Sequence, residues 1–273
     1  MTDNILVSII TVTYNAQDFL EQTMQSVFSQ TYPDIEYLVI DGGSTDNTTD
    51  IIKKHDSKLA FWISEKDDGI YDAMNKGIRI AKGNIIGIIN ASDYYEPTAV
   101  QTVVDAYVKN KDVDIFHGNI NMLNADGSFF KLKKPNTNLN DLVNGTSLYH
   151  PTFFVTKDTY INYGLYDTCF KIAADFDFTL RCYLNGVKFY HLDQIISNFR
   201  KGGVSTQHEV KSQVESREVL IKNGYSEETV RPVFRQWKKT SRKNRLSYKA
   251  YQLLRIILPA SILTKIAAKI VVK

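Results

Sequence analysis

Two short apolar segments that end in acidic and small polar residues constrain the fold of this chain more than any other feature. The first leads through Val39 and Ile40 into Asp41, and the second leads through Ile88–Ile89 into Asn90–Asp93. Short runs rich in β-branched residues are typical of buried strands in an alternating α/β chain. Open α/β sheets bind ligands beyond the carboxyl ends of their strands, so the two segments predict a crevice lined by carboxylates. Such a crevice suits a polyol, a base with N–H donors or a metal-bound phosphate.

The order of the predicted elements supports an α/β fold. Strands are predicted over residues 5–13, 35–40, 61–64 and 85–89, and helices over 17–30, 44–55, 70–81 and 97–109. Apolar residues recur at helical spacing within 70–81, and Gly83 stands where a helix-terminating glycine belongs. A strand over 113–116 and a hairpin around 125–128 follow, after which the pattern becomes less regular. The sequence therefore predicts a βαβ first half, an α+β second half and a mainly helical segment over 207–273.

Charge is distributed unevenly along the chain. The net charge is +3, yet residues 229–273 contain twelve Lys and Arg and no Asp or Glu. This asymmetry directs the tail to a polyanionic surface, which is either anionic lipid or nucleic acid. An apolar stripe over 263–271 opposes lysines around the predicted terminal helix, so we favour lipid and expect no nucleic-acid partner.

The sequence also indicates where the protein resides. The amino terminus lacks the basic and apolar regions of a signal peptide, and no uncharged apolar run approaches the roughly 20 residues that a spanning helix requires. We therefore expect a cytoplasmic protein that is held peripherally on the inner face of the cell membrane through its basic tail.

Several motifs, taken together, resemble those of a known family. They are the segments Ser8–Asn15, Asp41–Asp46, Asp68–Gly77, Asn90–Asp93, His150–Phe154 and Ala173–Arg181. In order and spacing they resemble the family 2 glycosyltransferases with the GT-A fold, and the resemblance covers about residues 5–205. It implies a Rossmann-like nucleotide-sugar-binding half over 1–110, an acceptor-binding α+β half over 111–206, and a helical, basic, amphipathic tail over 207–273.

The resemblance implies a set of residues that bind the nucleotide-sugar donor. They are Thr13, Tyr14, Asn15, Asp41, Asn75, Lys76, Ser92 and Asp93. Asp41 matches the family residue that accepts hydrogen bonds from the imide N–H of uracil, which favours a UDP-linked donor. Asp46 fits the first turn of the following helix better than a ligand site. For Asn75 and Lys76, a solvated helix surface is the alternative to a position in the donor cleft.

Asp93 matches the last Asp of the family's metal motif, which implies that it binds Mn²⁺ or Mg²⁺ against the donor diphosphate. Here the sequence departs from the family pattern, because relatives commonly carry Asp at the positions of Ser92 and Asn90. One acidic ligand therefore stands where others have two, which leaves the metal requirement open. A simple turn after a strand is the alternative interpretation of this segment.

Asp175 matches the catalytic base of the family, which implies that it accepts the proton of the acceptor hydroxyl and that the anomeric configuration inverts. Asp177 is the alternative base, although it also suits the first turn of a helix predicted from Phe178. His150 is a candidate for the diphosphate or acceptor site, with a structural histidine as the alternative. Arg200 and Lys201 precede two glycines and are candidates for a lid over the diphosphate, with a solvated turn as the alternative.

The predicted activity is therefore the transfer of one sugar, by a hexosyltransferase-like enzyme, from a nucleotide-sugar donor to an acceptor. The resemblance implies a lipid-linked glycan acceptor in the synthesis of bacterial cell-surface polysaccharide, such as lipopolysaccharide or capsule. A catalytically weak or inactive member that binds nucleotide sugar or acts as a scaffold is the alternative. A dinucleotide-dependent oxidoreductase is disfavoured because no Gly-x-Gly-x-x-Gly follows the first strand. A processive synthase is disfavoured because Arg235–Trp237 only superficially matches the Gln-x-x-Arg-Trp motif of that class.

Overall fold

The computed structural model describes residues 5–144, 148–202 and 209–235. The chain divides into two compact units, Met1–Gln207 and His208–Lys273. In the part of the chain that is described, no helix is long and apolar enough to cross a membrane. The predicted terminal amphipathic stripe over 263–271 lies outside the described residues.

The strands of the first unit join in one mixed sheet. They are β1 (Val7–Thr13), β2 (Ile35–Asp41), β3 (Phe61–Ser64), β4 (Ile85–Asn90), β5 (Tyr94–Tyr95), β6 (Ile115–Leu123), β7 (Phe129–Lys133), β8 (Phe154–Thr156) and β9 (Phe189–Arg200). Their order is β3-β2-β1-β4-β8-β6-β9-β5, and β7 pairs with β6 outside this path. The first four strands are parallel, as the predicted βαβ start requires.

The helices of the first unit pack around this sheet, and the second unit is described by its own helix. The first unit contains α1 (Leu20–Phe28), α2 (Thr48–Lys54), α3 (Ile70–Ile80), α4 (Ala99–Lys109), α5 (Lys157–Tyr163) and α6 (Ala174–Leu184), and the second contains α7 (Glu209–Lys222). Short 3-10 turns lie at Asp56–Lys58, Leu139–Asn144 and His150–Thr152.

The core explains why β1 lies near the middle of the parallel strands. All seven residues of β1 are buried, and its apolar side chains pack with those of α1, α4 and the neighbouring strands. A strand that is covered on both faces must be apolar along its whole length, which is the pattern seen in the sequence. The predicted α/β class is therefore confirmed.

Three elements begin or end at residues other than the predicted ones, for identifiable reasons. Helix α1 begins at Leu20 rather than residue 17, because residues 16–19 form a turn in which the Phe19 N–H donates to the Ala16 carbonyl over 3.0 Å. Strand β6 continues to Leu123 because polar residues after position 118 pair with β7 and β9. Helix α6 begins at Ala174, four residues before the predicted start at Phe178.

Candidate active site

The carboxyl ends of β1, β2 and β4 meet at one edge of the sheet, as the sequence predicted. Thr13 is the register partner of Asp41, and Val12 is the partner of Asn90. The loops that follow these strands carry most of the candidate donor-binding residues. This edge is the crevice that parallel α/β sheets offer to a ligand.

Asp41 organises the loop that follows β2. Its Oδ2 accepts hydrogen bonds from the Gly43 and Ser44 backbone N–H groups at 3.2 and 2.9 Å and from the Ser64 hydroxyl at 2.5 Å, and its Oδ1 accepts one from the Ser44 hydroxyl at 2.5 Å. The residue is fully buried. These donors fix the loop and also occupy most of the hydrogen-bond acceptor capacity of the carboxylate. A nucleobase would therefore form a hydrogen bond with Asp41 only after a local rearrangement.

Asn15 joins the loops after β1 and β2. Its side-chain Oδ1 accepts the Thr45 N–H at 2.9 Å, and its own N–H donates to the Ser44 hydroxyl at 2.8 Å. Its φ of 46° lies in the left-handed region, which Asn tolerates better than most residues. Beside it, the Tyr14 ring is 63% exposed and Thr13 is buried. Tyr14 is therefore the accessible aromatic surface of this edge.

Asp46 lies two residues before α2, rather than in its first turn as the sequence predicted. Its carboxylate accepts the Thr48 N–H at 3.0 Å and the Gln17 N–H at 3.2 Å. Both contacts are structural, which agrees with the helix-terminal interpretation of this residue.

Asn75 and Lys76 lie on α3 but point to different partners. The Asn75 amide both donates to the Tyr166 carbonyl at 2.8 Å and accepts the Tyr166 N–H at 3.0 Å, and the residue is buried. This places Asn75 in the scaffold rather than on an open cleft surface. The Lys76 ammonium contacts Glu65 at 2.8 Å and Asp72 at 3.5 Å, and its hydrogen bond to Glu65 raises its pKa.

Asp93 is 1% exposed at the end of the turn that follows β4. Its Oδ1 accepts the Arg200 N–H at 3.0 Å, which ties this turn to the end of β9. Burial raises the pKa of Asp93 to about 7, although the Arg200 N–H acts against the shift. Its Oδ2 and the Oδ1 of Asn90 are both buried and have no hydrogen-bond partner in the described part of the chain.

These two oxygens determine whether the residues present fit a divalent cation. Carboxylate and amide oxygens are suitable ligands for Mn²⁺ and Mg²⁺, and buried oxygens normally have a partner. The described residues contain no group of three or more His, Cys, Asp or Glu that could bind a metal. Asp93 and Asn90 thus fit a cation whose remaining ligands come from the bound substrate or from water.

Asp175 lies in the first turn of α6 and has two unlike oxygens. Its Oδ1 accepts the Phe176 N–H at 2.9 Å and lies 2.9 Å from the Tyr71 hydroxyl. That hydroxyl is also 2.8 Å from the Ile172 carbonyl, so its single proton serves one acceptor at a time. Within residues 5–144, 148–202 and 209–235, no donor contacts Oδ2. Oδ1 is therefore fixed by hydrogen bonds, whereas Oδ2 is not.

His150 lies behind Asp175 within an aromatic cluster. Its Nε2 lies 2.8 Å from the Tyr166 hydroxyl, which lies 3.2 Å from the hydroxyl of Tyr160. Burial lowers the pKa of His150, whereas the charge of Asp175 acts in the opposite direction. A buried imidazole with a lowered pKa is mainly neutral near pH 7 and does not offer a free cation to a diphosphate.

Asp177 is fully buried and forms an ion pair with Arg181, whose Nε lies 2.8 Å from Oδ2. The Arg181 guanidinium also donates to the carbonyls of Tyr163 and Leu165. Burial and the ion pair with Arg181 disfavour Asp177 as the base and leave Asp175 as the preferred candidate.

Arg200 and Lys201 do not project from an open turn. The Arg200 guanidinium donates to Gln22 Oε1 at 2.8 Å and to the Ala125 carbonyl at 3.3 Å. The Lys201 N–H donates to the Leu123 carbonyl, and its ammonium lies 2.9 Å from the centre of the Phe130 ring. Both side chains face the β6–β7 hairpin, and the remaining residues of the predicted lid, 203–205, lie outside the described part.

A pocket opens beside the Tyr71 side chain. It is lined by Asp68, Gly69, Ile70, Tyr71, Asp72, Thr168, Phe170 and Lys171. The Lys171 ammonium donates to the Asp68 carbonyl at 3.0 Å across it. The pocket thus joins the start of α3 to the segment that leads into α6.

Tyr71 and Tyr166 are the residues that sequence reasoning missed. Tyr71 was contained in a quoted motif, yet its contact with Asp175 spans 104 positions of the chain. Tyr71 directly follows Ile70, the first residue of the apolar pattern over 70–81, and that pattern gives no sign of a polar contact. The contact between Tyr71 and Asp175 is visible only in the three-dimensional structure.

A comparison with family models matches residues 8–174 to "Glycosyl transferase family 2". Among curated relatives, an uncharacterised glycosyltransferase of Mycobacterium tuberculosis is 33% identical over 192 residues, which is 67% of this chain and 71% of that protein. The chondroitin synthase of Pasteurella multocida is 29% identical over 197 residues, 71% of this chain. The matched region spans only 20% of the length of that synthase.

Solved structures share the fold. TarS residues 1–349 of S. aureus, in complex with UDP-GlcNAc, superpose with a TM-score of 0.65 at 20% identity, covering 90% of this chain and 76% of that one. The mannosyltransferase PcManGT of Pyrobaculum calidifontis, in complex with GDP-Man and Mn²⁺, gives a TM-score of 0.64 at 17% identity, covering 100% and 82%. At these identities the likeness establishes the architecture, which is of the GT-A type.

Proposed function

The chain belongs to glycosyltransferase family 2, and we propose that it transfers a single sugar from a UDP-linked donor to a lipid-linked oligosaccharide or similar acceptor, with inversion. The observation that carries this proposal is that the candidate carboxylates lie on two separate parts of the site. Asp41 and Asp93 stand at the sheet edge where a donor would bind, and Asp175 stands on a separate helix with one oxygen that no donor contacts among the described residues. A donor site and a base on different elements suit direct displacement at a sugar carbon.

On the donor side, the loops joined by Asn15 would receive the nucleotide. The exposed Tyr14 ring offers a surface to the uracil ring. Asp41 would accept a hydrogen bond from the imide N–H of uracil once Ser44 or Ser64 no longer donates to Asp41. The solved TarS complex contains UDP-GlcNAc, which supports a UDP-linked donor here.

Asp93 and Asn90 would hold a divalent cation, either Mn²⁺ or Mg²⁺. When bound, such an ion neutralises the charge that develops on the departing diphosphate. The presence of Mn²⁺ in the PcManGT complex supports this role. A cation would also give the orphaned oxygens of Asp93 and Asn90 the partner that they lack.

Asp175 would act as the general base through Oδ2. It accepts the proton of the acceptor hydroxyl as that oxygen attacks the anomeric carbon from the face opposite the diphosphate. A carboxylate is a sufficient base because proton loss accompanies attack. Tyr71 would act as a positioning residue through its hydroxyl, which lies 2.9 Å from Asp175 Oδ1.

The acceptor and the location are proposed from the tail. Twelve Lys and Arg without an acidic residue in 229–273 would hold the enzyme at an anionic inner leaflet, where lipid-linked precursors of surface polysaccharide are found. Deletion of residues 236–273 should then release the enzyme from anionic vesicles more than it alters UDP affinity.

Calorimetric titration with UDP, GDP, dTDP and CDP, each with and without Mn²⁺, tests the donor site. We expect UDP to bind, Asp93→Asn to weaken its metal-dependent binding, and Asp175→Asn to bind UDP normally while losing transfer by a factor of about 10²–10⁴. Failure of all four nucleotides to bind would contradict the proposal and favour a scaffold role. Normal transfer by Asp175→Asn would contradict the assignment of the base.

A further inference from the structure

The β6–β7 hairpin exposes apolar side chains on a strand whose outer edge has no partner strand in the described part of the chain. Phe129 is 62% exposed and Leu132 is 43% exposed, although both lie in β7. Among the described residues, β7 pairs with β6 alone. Exposed edge strands of soluble domains normally carry polar or charged side chains, so two large apolar residues here call for an explanation.

Three lysines lie on or next to the same strand. Lys131 and Lys133 alternate with the exposed apolar residues along β7, so the two kinds of side chain flank the outer edge of the strand on its two faces, and Lys201 follows β9 and lies over the Phe130 ring. Burial lowers the pKa of Lys201, and the charges of Lys131 and Lys133 lower it further. Burial likewise lowers the pKa of Lys133, with a contribution from Lys131. The three ammonium groups are therefore close enough to repel one another.

In the described ranges, no carboxylate compensates this repulsion. Within the described residues, none of the three ammonium groups lies within 4.0 Å of an acidic side chain. The neighbouring Lys134 by contrast contacts Asp193 at 2.6 Å. A partly buried cluster of like charges is unfavourable unless an anion from outside the chain accompanies it.

We propose that Phe129, Leu132, Lys131, Lys133 and Lys201 form a membrane-docking surface, the basic hairpin, that binds anionic lipid. Lysines beside exposed aromatic and aliphatic side chains are the composition of an interfacial contact, in which ammonium groups meet lipid phosphates and apolar groups enter the headgroup layer. From Phe129 to Lys133 the strand spans about 13 Å. One phosphate group could neutralise the lysines, but it would leave Phe129 and Leu132 in water.

The basic hairpin adds an orientation that a tail alone cannot give. Lys201 directly follows Arg200, whose N–H is bonded to Asp93, so the hairpin is joined to the candidate active site through one residue. Docking through the basic hairpin brings the carboxyl ends of β1, β2 and β4, where the candidate active site lies, to the level of the lipid phosphates. The inference concerns membrane contact and does not depend on the identity of the donor.

A matched pair of double variants of the full chain tests the surface. Lys131→Gln/Lys133→Gln removes two charges from the hairpin, and Lys53→Gln/Lys54→Gln removes two from exposed positions on α2. We expect partitioning onto phosphatidylglycerol-containing vesicles to fall about twenty-fivefold for the hairpin variant, since each lysine contributes a factor of about five. The α2 variant should retain most of its partitioning. Equal losses in both variants would overturn the proposal, because only net charge would then matter.

A local probe separates the hairpin from the tail. Cys169 is exposed and Cys182 is buried, so a Cys169→Ser background permits an environment-sensitive dye at Phe129→Cys, with Ile161→Cys, 67% exposed, as the control position. We expect a blue shift only for the dye at 129 and only with anionic vesicles. Vesicle binding without that shift would mean that the tail alone attaches the enzyme. The same spectral change with inorganic pyrophosphate and no vesicles would indicate a phosphate site instead, and either result would overturn the proposal.

Discussion

Replacement of Tyr71 by Phe tests how the base is oriented. The substitution removes one oxygen that lies 2.9 Å from Asp175 Oδ1 and 2.8 Å from the Ile172 carbonyl, and it preserves the buried ring. A hydrogen bond to a charged group contributes about 2 kcal/mol, which corresponds to a decrease in kcat of about thirtyfold. UDP affinity should not change, because the substitution removes the hydroxyl that lies near Asp175 and the Ile172 carbonyl.

The matched control is Tyr160→Phe. Tyr160 is equally buried, belongs to the same aromatic cluster and donates to or accepts from Tyr166 rather than Asp175. Both variants should lower the melting temperature modestly, while only Tyr71→Phe should lower kcat in a steady-state transfer assay. The reasoning is refuted if kcat of Tyr71→Phe stays within twofold of the parent enzyme, or if the control loses as much.

Three further predictions concern the cation, the ion pair and the packing of α3. Because the pKa of Asp93 is near 7 rather than 3.8, a proton competes with the cation below that pH, and calorimetry should find Mn²⁺-dependent UDP binding about tenfold tighter at pH 8 than at pH 6. Asp177→Ala leaves Arg181 without its carboxylate, and urea denaturation should show a loss of about 3 kcal/mol in the free energy of unfolding. Gly77→Ala would place a Cβ 2.6 Å from Ile10 Cγ2, and the same measurement should show a loss of about 1–3 kcal/mol.

Local pattern was sufficient for the parallel half of the fold. Strand β3 was predicted at its observed bounds, and α3 ends one residue before its predicted end, because buried strands and amphipathic helices have distinct periods. The convergence of Asp41 and Asn90 on one edge followed from the parallel arrangement. These features depend on neighbours in the sequence and on one general rule of sheet topology.

Features that depend on distant contacts were not predictable in this way. Strand β8 is three residues long and lies antiparallel between β4 and β6, a placement that no local signal encodes. The scaffold role of Asn75 depends on Tyr166, 91 positions away, and the hydrogen bond that Asp93 accepts comes from Arg200, 107 positions away. The motif resemblance supplied candidate residues at these positions, but it could not tell which of their atoms were already occupied.

The contacts of α3 have a consequence for exchanging parts between relatives. The Tyr71 hydroxyl contacts Asp175, and the Asn75 side chain accepts a hydrogen bond from the Tyr166 backbone. A helix within the first 110 residues therefore positions residues of the later half. A chimera joined near residue 110 would take the base from one parent and its support from the other. Grafts that retain α3 together with 163–184 from a single parent keep these partners matched, whereas the loops after β1 and β2 can be replaced without disturbing them.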